Sequence, residues 1–241
     1  AASTIQTPQL NLTTGKVSVT IPNASQPPED WSGPTSLNPL LQQDEITVVQ
    51  LIKSTNITGA ANNIELIDQN GLVVEPAEQV NLTKNNQVIA VGSYGYSLST
   101  NGNTVNNGNN GLYVSYGLTK LNLQKNQSLL LSGDNNTSPG SELHALLTGI
   151  GDVIIDATKT ITISNPNNDY TGTTTVNDDI LILGSDNALG KTSALTINEN
   201  SITNVNGKTQ TVGFLETKGN LNIADGNFSI SNGGKTAPNT L

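Results

Sequence analysis

The feature that most constrains this chain is a succession of short β-branched runs, each closed by Asn, Gly or Asp, with very little between them after residue 152. They read Val153-Ile154-Ile155, Thr160-Ile161-Thr162-Ile163, Ile180-Leu181-Ile182-Leu183, Leu195-Thr196-Ile197, Gly219-Asn220-Leu221-Asn222-Ile223 and Gly226-Asn227-Phe228-Ser229-Ile230. An apolar-polar-apolar triplet in extended backbone sends two side chains to one face. Asn, Gly and Asp accept the left-handed backbone that a tight turn demands. The last two runs are near copies, and units that repeat with Gly and Asn corners bury their inward faces most simply by coiling into stacked rungs. Asn is about one residue in seven, far above ordinary usage, and Asn ladders at the corners of such a stack would account for it.

The rest of the chain divides by texture. Residues 1–45 hold one alternating run, Lys16 to Ile21, followed by Pro22, Pro27, Pro28, Pro34 and Pro39 around Trp31. Prolines at that density remove ladder donors, so an irregular connector or lid is expected. The lone Trp31 reads as the plug of a core end, with a ligand platform as the alternative. Residues 46–131 form a first β module with runs at 46–52, 64–67, 71–74, 87–91, 94–98, 112–116 and 121–123. Four of the five tyrosines fall between 94 and 116, where they would line one sheet face, and Asn101 to Asn110 reads as a hairpin tip. A connector at 132–150 contains the one helical pattern, Gly140 to Leu147, too short for a stable helix. A second β module covers 151–234 and a tail 235–241.

Composition excludes several classes of function. The net charge is -9, and every one of the ten basic residues is Lys, which argues against nucleic acid and against an anionic membrane surface. With no Cys there is neither a disulfide framework nor a thiolate metal site, as suits a bacterial protein that crosses the periplasm. Hydrophobic residues make up 34% and aromatics 3%, enough for thin stacked layers with few large side chains each. No stretch approaches the roughly 20 apolar residues of a membrane-spanning helix. Ala1-Ala2-Ser3-Thr4 lacks the basic and apolar regions of a signal peptide, and the expectation is a piece of something longer.

One segment carries a specific likeness. Ile161 to Asn165, then Asn168-Asp169-Tyr170-Thr171-Gly172-Thr173-Thr174-Thr175-Val176, Leu181-Ile182-Leu183-Gly184 and Asn187-Ala188-Leu189-Gly190 closely resemble the passenger-associated transport repeat of bacterial autotransporters, of the AIDA-like, self-associating adhesin type. The likeness continues through Leu195-Thr196-Ile197 and Gln210-Thr211-Val212-Gly213-Phe214-Leu215, so it covers about 161–230. A weaker one covers 46–123, where Gln50-Leu51-Ile52, Val91 to Leu98 and Gly111 to Leu118 look like the capping segments of the same proteins, although Leu112 stands where the family usually has Trp. The resemblance implies an all-β, right-handed parallel β-helix (β-solenoid) with an irregular capping or connector region. It also implies a bacterial cell surface, reached through an outer-membrane β-barrel that is not part of this chain, and roles in adhesion, autoaggregation or biofilm formation. The implied partners are copies on neighbouring cells, or a glycan or protein of a host surface.

The candidate chemistry is sparse. His144 is the only histidine, and Ser141 and Glu142 stand too near it on one short turn to complete a triad; no nucleophile elbow is present. Zinc needs several His or Cys ligands, which the chain lacks. Because β-helices include polysaccharide lyases and hydrolases, three carboxylate pairs are candidates: Asp178 with Asp179, Asp152 with Asp156, and Asp44 with Glu45. Adjacent strand residues point to opposite faces, so Asp178 and Asp179 could share a substrate only from a turn. Asp134 to Gly140 offers oxygen ligands without the spacing of a calcium loop. The reading is a non-enzymatic segment with no catalytic, cofactor-binding or metal residues and no cofactor; a carbohydrate-active β-helix and a purely structural spacer are the alternatives.

Overall fold

The computed structural model describes residues 3–31, 33, 34, 46–100, 110–132, 141–156 and 160–232. Asp44 and Glu45, Pro39, the 101–109 part of the expected hairpin tip, the Asp134 to Gly140 loop and the 235–241 tail lie outside them. The protein is all-β, with several parallel sheets and no α-helix among the described residues. Two compact units divide the chain, one made of Ala1–Thr35, Gln42–Val80 and Ser93–Thr119, the other of Ser36–Leu41, Asn81–Gly92 and Lys120–Leu241.

In the first unit, alternation alone marked one strand before residue 45, and the structure holds three. Ile5–Gln6, Leu10–Leu12 and Gly15–Ser18 pair in parallel with Ile46–Lys53, Ile57–Gly59 and Ile64–Ile67. Ile46–Lys53 in turn runs antiparallel to 111–116, with two register shifts. The expected short runs at 87–91 and 94–98 belong to one 13-residue strand, Gln87–Ser99, and those at 112–116 and 121–123 to another, Gly111–Leu123. Both strands run on through the gaps between those runs, at 92–93 and at 117–120. Asn85 and Asn86, at φ 52° and 62° and counted with the second unit, make the two-residue turn between Glu78–Lys84 and Gln87–Ser99.

The second unit is built from parallel ladders whose partners stand 18 to 26 residues apart in sequence. One ladder runs Ser128–Leu131, Asp152–Ile155, Thr174–Val176, Ala194–Ile197 and Phe214–Thr217. A second runs Ser141–Leu143, Ile161–Ile163, Ile180–Leu183, Ile202–Asn204 and Asn220–Asn222, and a third pairs Thr209–Val212 with Asn227–Ile230. Register puts like on like: Leu131, Ile155, Val176 and Ile197 form one buried column, and Leu143, Ile163 and Leu183 another. Each such side chain contributes about 1.5–3 kcal/mol by leaving water, and the column geometry explains how a chain so poor in large residues still builds a core.

Two local patterns resolve differently from their appearance in the sequence. The near copies 219–223 and 226–230 do not stack on each other; they enter different ladders, 220–222 beside 202–204 and 227–230 beside 209–212. The helical pattern at 140–147 yields strands instead, Ser141–Leu143 and Leu146–Gly149, because burial of Leu143 and Leu147 against parallel neighbours outweighs the weak helix preference of so short a segment.

Candidate functional site

The first candidate is the aromatic group of the first unit. Tyr94 and Tyr96 alternate on Gln87–Ser99, and Tyr116 comes from Gly111–Leu123. The Trp31 ring centroid lies 5.3 Å from those of both Tyr94 and Tyr116, and Tyr96 packs edge-on to Tyr116 at 5.1 Å. Glu78 sits among them: the Trp31 indole N–H and the Tyr116 hydroxyl, at 3.1 Å, both donate to its Oε1. Burial, with the Glu78 carboxylate adding to it, pushes the Tyr94 phenol up to about 12, and the same two causes raise Tyr116. Tyr94 and Tyr116 are 0% exposed, so neither ring face is open to stack on a sugar. Trp31 is the core plug that the sequence suggested. The fourth tyrosine of the row departs from it: the Tyr113 hydroxyl accepts from Gln50 Nε2 at 3.0 Å and donates to Asn110 Oδ1 at 2.6 Å.

Beside this group an open groove of about 390 Å³ is lined by Ile64, Leu66, Val74, Pro76, Tyr96 and Leu98 among others. Its one carboxylate, Glu65, half-buried, pairs with exposed Lys16 at 3.4 Å. The lining brings no second carboxylate and no histidine to activate its two aliphatic hydroxyls, those of Ser97 and Thr119.

The second candidate is a buried polar spine in the second unit. Leu147 N–H donates to Asn168 Oδ1 and Asn168 Nδ2 donates to the Ala188 carbonyl, both at 2.7 Å. Leu189 N–H then donates to Gln210 Oε1 at 2.8 Å, and Gln210 Nε2 reaches the Gly190 carbonyl at 3.3 Å. Both amides are 1% exposed. Beside them, the Thr192 hydroxyl ends on the Gly172 carbonyl at 2.6 Å. A carbonyl only accepts, so the chain of hydroxyls runs one way, from Tyr170 to Thr174 at 2.6 Å and from Thr174 to Thr192 at 2.8 Å. Burial raises the Tyr170 phenol, and the bonds to Thr174 and Thr192 work against that. Tyr170 is thus wholly buried. At the corners, Asn165 bonds the His144 carbonyl, Asn187 the Asn168 carbonyl, and Asn198 the side chain of Asn177. One of these, Asn198 on Asn177, is an Asn-on-Asn pair of the kind a ladder needs, whereas the other two corner amides bond main-chain carbonyls.

The sequence candidates for chemistry are dispersed. Half-buried His144 and exposed Glu142 sit beside and within Ser141–Leu143. Asp178 and Asp179 do share a bend, but Asp178 is exposed, whereas Asp179 is buried and accepts from the Ile180 amide at 2.8 Å. Asp152 accepts from the Thr173 amide at 2.8 Å and Asp156 is exposed. Among the described residues no three His, Cys, Asp or Glu side chains gather as metal ligands, and no helix is long and apolar enough to cross a membrane.

The chain is similar to two proteins of Escherichia coli K12. It is 35% identical over 192 residues to the uncharacterized lipoprotein YdeK, covering 77% of this chain and 14% of the relative. It is 31% identical over 211 residues to the uncharacterized protein YuaQ, covering 84% of this chain and 15% of the relative. The chain spans about one seventh of the length of these curated relatives. No protein-family model matches it, and no solved structure does.

Proposed function

We propose that this chain is part of the passenger of a self-associating bacterial autotransporter: a right-handed parallel β-solenoid, displayed at the cell surface, that acts by adhesion and carries out no catalysis. The observation behind the reading is the set of all-parallel ladders at near-constant spacing, bridged by Asn168 and Gln210, two residues of the transport-repeat motif. Parallel strands of one sheet joined by a crossover are right-handed in nearly all proteins, which favours the hand. Similarity to a protein named a lipoprotein favours the cell envelope. A stack with few charged outer groups, whose buried amides Asn168 and Gln210 are already bound to neighbouring backbone, has little to offer a reacting bond and much surface to offer a partner. Displayed on cells that otherwise stay dispersed, the segment makes the suspension settle. Cells that remain dispersed at every display level contradict the adhesive role.

A further inference from the structure

Asparagine followed by glycine is the dipeptide in which the main chain most easily turns on a side chain. The nitrogen after Asn reaches the side-chain Cγ by closing a five-membered ring, and glycine has no Cβ to obstruct the approach. The chain holds this pair six times, at Asn70, Asn101, Asn107, Asn110, Asn206 and Asn232. Both partners are among the described residues for Asn70–Gly71, Asn110–Gly111 and Asn206–Gly207, and the structure restrains these three differently.

Asn110 is locked. Its Oδ1 accepts from the Tyr113 hydroxyl at 2.6 Å, its carbonyl accepts from the Ser54 amide at 3.0 Å, and Gly111 opens a buried strand in register with Lys53. Asn206 is held by its own side chain, because Nδ2 donates to the Leu183 carbonyl at 3.2 Å. Asn70 has neither restraint. It stands exposed at the tip of the hairpin that leads from Ile64–Ile67 to the bridge between Ile67 and Val73, and its side-chain amide bonds nothing among the described residues. Asp68 shapes the tip instead: the Asn70 and Leu72 amides donate to its Oδ1 at 2.8 and 3.0 Å, and the Gly71 amide donates to its carbonyl at 3.1 Å. Bonds at an exposed tip open without unfolding the strands behind them.

We infer that Asn70 is a site of spontaneous deamidation, and that of these three pairs it alone reacts readily in the folded protein. The Gly71 nitrogen attacks Asn70 Cγ and gives up its proton to solvent, while the bond from Cγ to the side-chain nitrogen breaks and ammonia leaves. The product is a cyclic imide shared by the two residues. Water opens it without any oxidation or reduction: addition at Cγ releases the Gly71 nitrogen to give aspartate, and addition at the main-chain carbonyl gives isoaspartate. Either product sets a new negative charge close to the Asp68 carboxylate, and isoaspartate lengthens the main chain of the tip by one carbon. Leu72 and Val73, 65% and 50% exposed, follow directly, so the change falls on the rim of the groove that Val73 lines. The inference is independent of the adhesive role, which the settling of cells tests separately.

Ageing the folded, full chain in mildly alkaline buffer, then cutting after lysine and mapping by mass spectrometry, reads each site. Asn70 lies in peptide 54–84, Asn110 in 85–120 and Asn206 in 192–208, and fragmentation locates the residue. Asn70 converts to aspartate and isoaspartate about tenfold or more faster than the other two, the factor for hydrogen bonds that must open first. In heavy-oxygen water the product takes up the solvent label, and Asn70→Gln, which would need a larger ring, stops the conversion in peptide 54–84. In urea the restraints on Asn110 and Asn206 are gone and the three rates converge. Folded protein in which Asn70 reacts no faster than the other two overturns the inference, as does conversion in peptide 54–84 that survives Asn70→Gln. A preference for Asn70 that persists undiminished in urea also overturns it, because the structure would then have no part in the choice.

Discussion

Replacing Asn168 with Ala strikes the polar spine at its middle. The side chain is 1% exposed and joins Leu147 N–H to the Ala188 carbonyl, each at 2.7 Å. Removal leaves one buried donor and one buried acceptor without partners, at about 1–3 kcal/mol each, so the unfolding free energy falls by about 2–6 kcal/mol. Urea unfolding at neutral pH, followed by far-UV circular dichroism, reads this as a lower midpoint with unchanged slope. Exposed Asn227→Ala is the control, expected within about 0.5 kcal/mol of wild type. Asn168→Asp adds a test of direction, because a carboxylate still accepts from Leu147 but opposes the Ala188 carbonyl, whereas a neutral carboxyl can donate to it. The folded-state pKa of the new acid is therefore raised above its unfolded value of about 3.9. Its favourable contribution is fully present below that value and is lost as pH rises through the folded pKa, so Asn168→Asp is penalised more at pH 7 than at pH 4. An Asn168→Ala penalty no larger than the Asn227→Ala control refutes the view that these amides hold successive turns together.

Three further outcomes follow from the same geometry. A Cβ at Gly172 would lie 1.8 Å from the Gly151 carbonyl oxygen, so Gly172→Ala forces neighbouring backbones apart and costs about 1–3 kcal/mol in the same unfolding assay. Tyr94, Tyr96, Tyr116 and Tyr170 all have raised phenol pKa values; being raised, they contribute stability that is complete below the unfolded value of about 10 and is lost as pH climbs toward about 12. Absorbance titration therefore shows these four ionising late, together with alkaline unfolding. Trp31 is the only tryptophan, so Glu78→Ala, which strips the indole N–H and the Tyr116 hydroxyl of their acceptor, shifts the emission to the red and lowers stability by about 1–3 kcal/mol.

The strands of the second unit were legible because alternation survives in runs as short as Leu195-Thr196-Ile197, and Asn, Gly and Asp mark nearly every corner. Pairing was not legible from spacing alone: the copies at 219–223 and 226–230 enter different ladders, and partners stand 18 to 26 residues apart. The first unit hid more. Leu10–Leu12 carries too few residues to show a period, and it is a strand because Ile57–Gly59 lies beside it. Asn168 and Gln210 belong to a recognisable motif, but nothing local says that a polar amide will be buried. That depends on the orphaned amides of Leu147 and Leu189 on the adjoining turns. The Trp31, Tyr94, Tyr116 and Glu78 group was half legible, the rings from their clustering and the carboxylate not at all.

The account stands or falls on parallel pairing across about twenty residues of chain. Hydrogen-bond scalar couplings, measured on deuterated and isotopically labelled protein, report each donor amide and its acceptor carbonyl directly. The structure predicts couplings from the amide of Asn177 to the carbonyl of Ile155, from Asn198 to Val176 and from Lys218 to Ile197. Couplings that instead join these amides to carbonyls of an adjacent hairpin, within some ten residues in sequence, would contradict it.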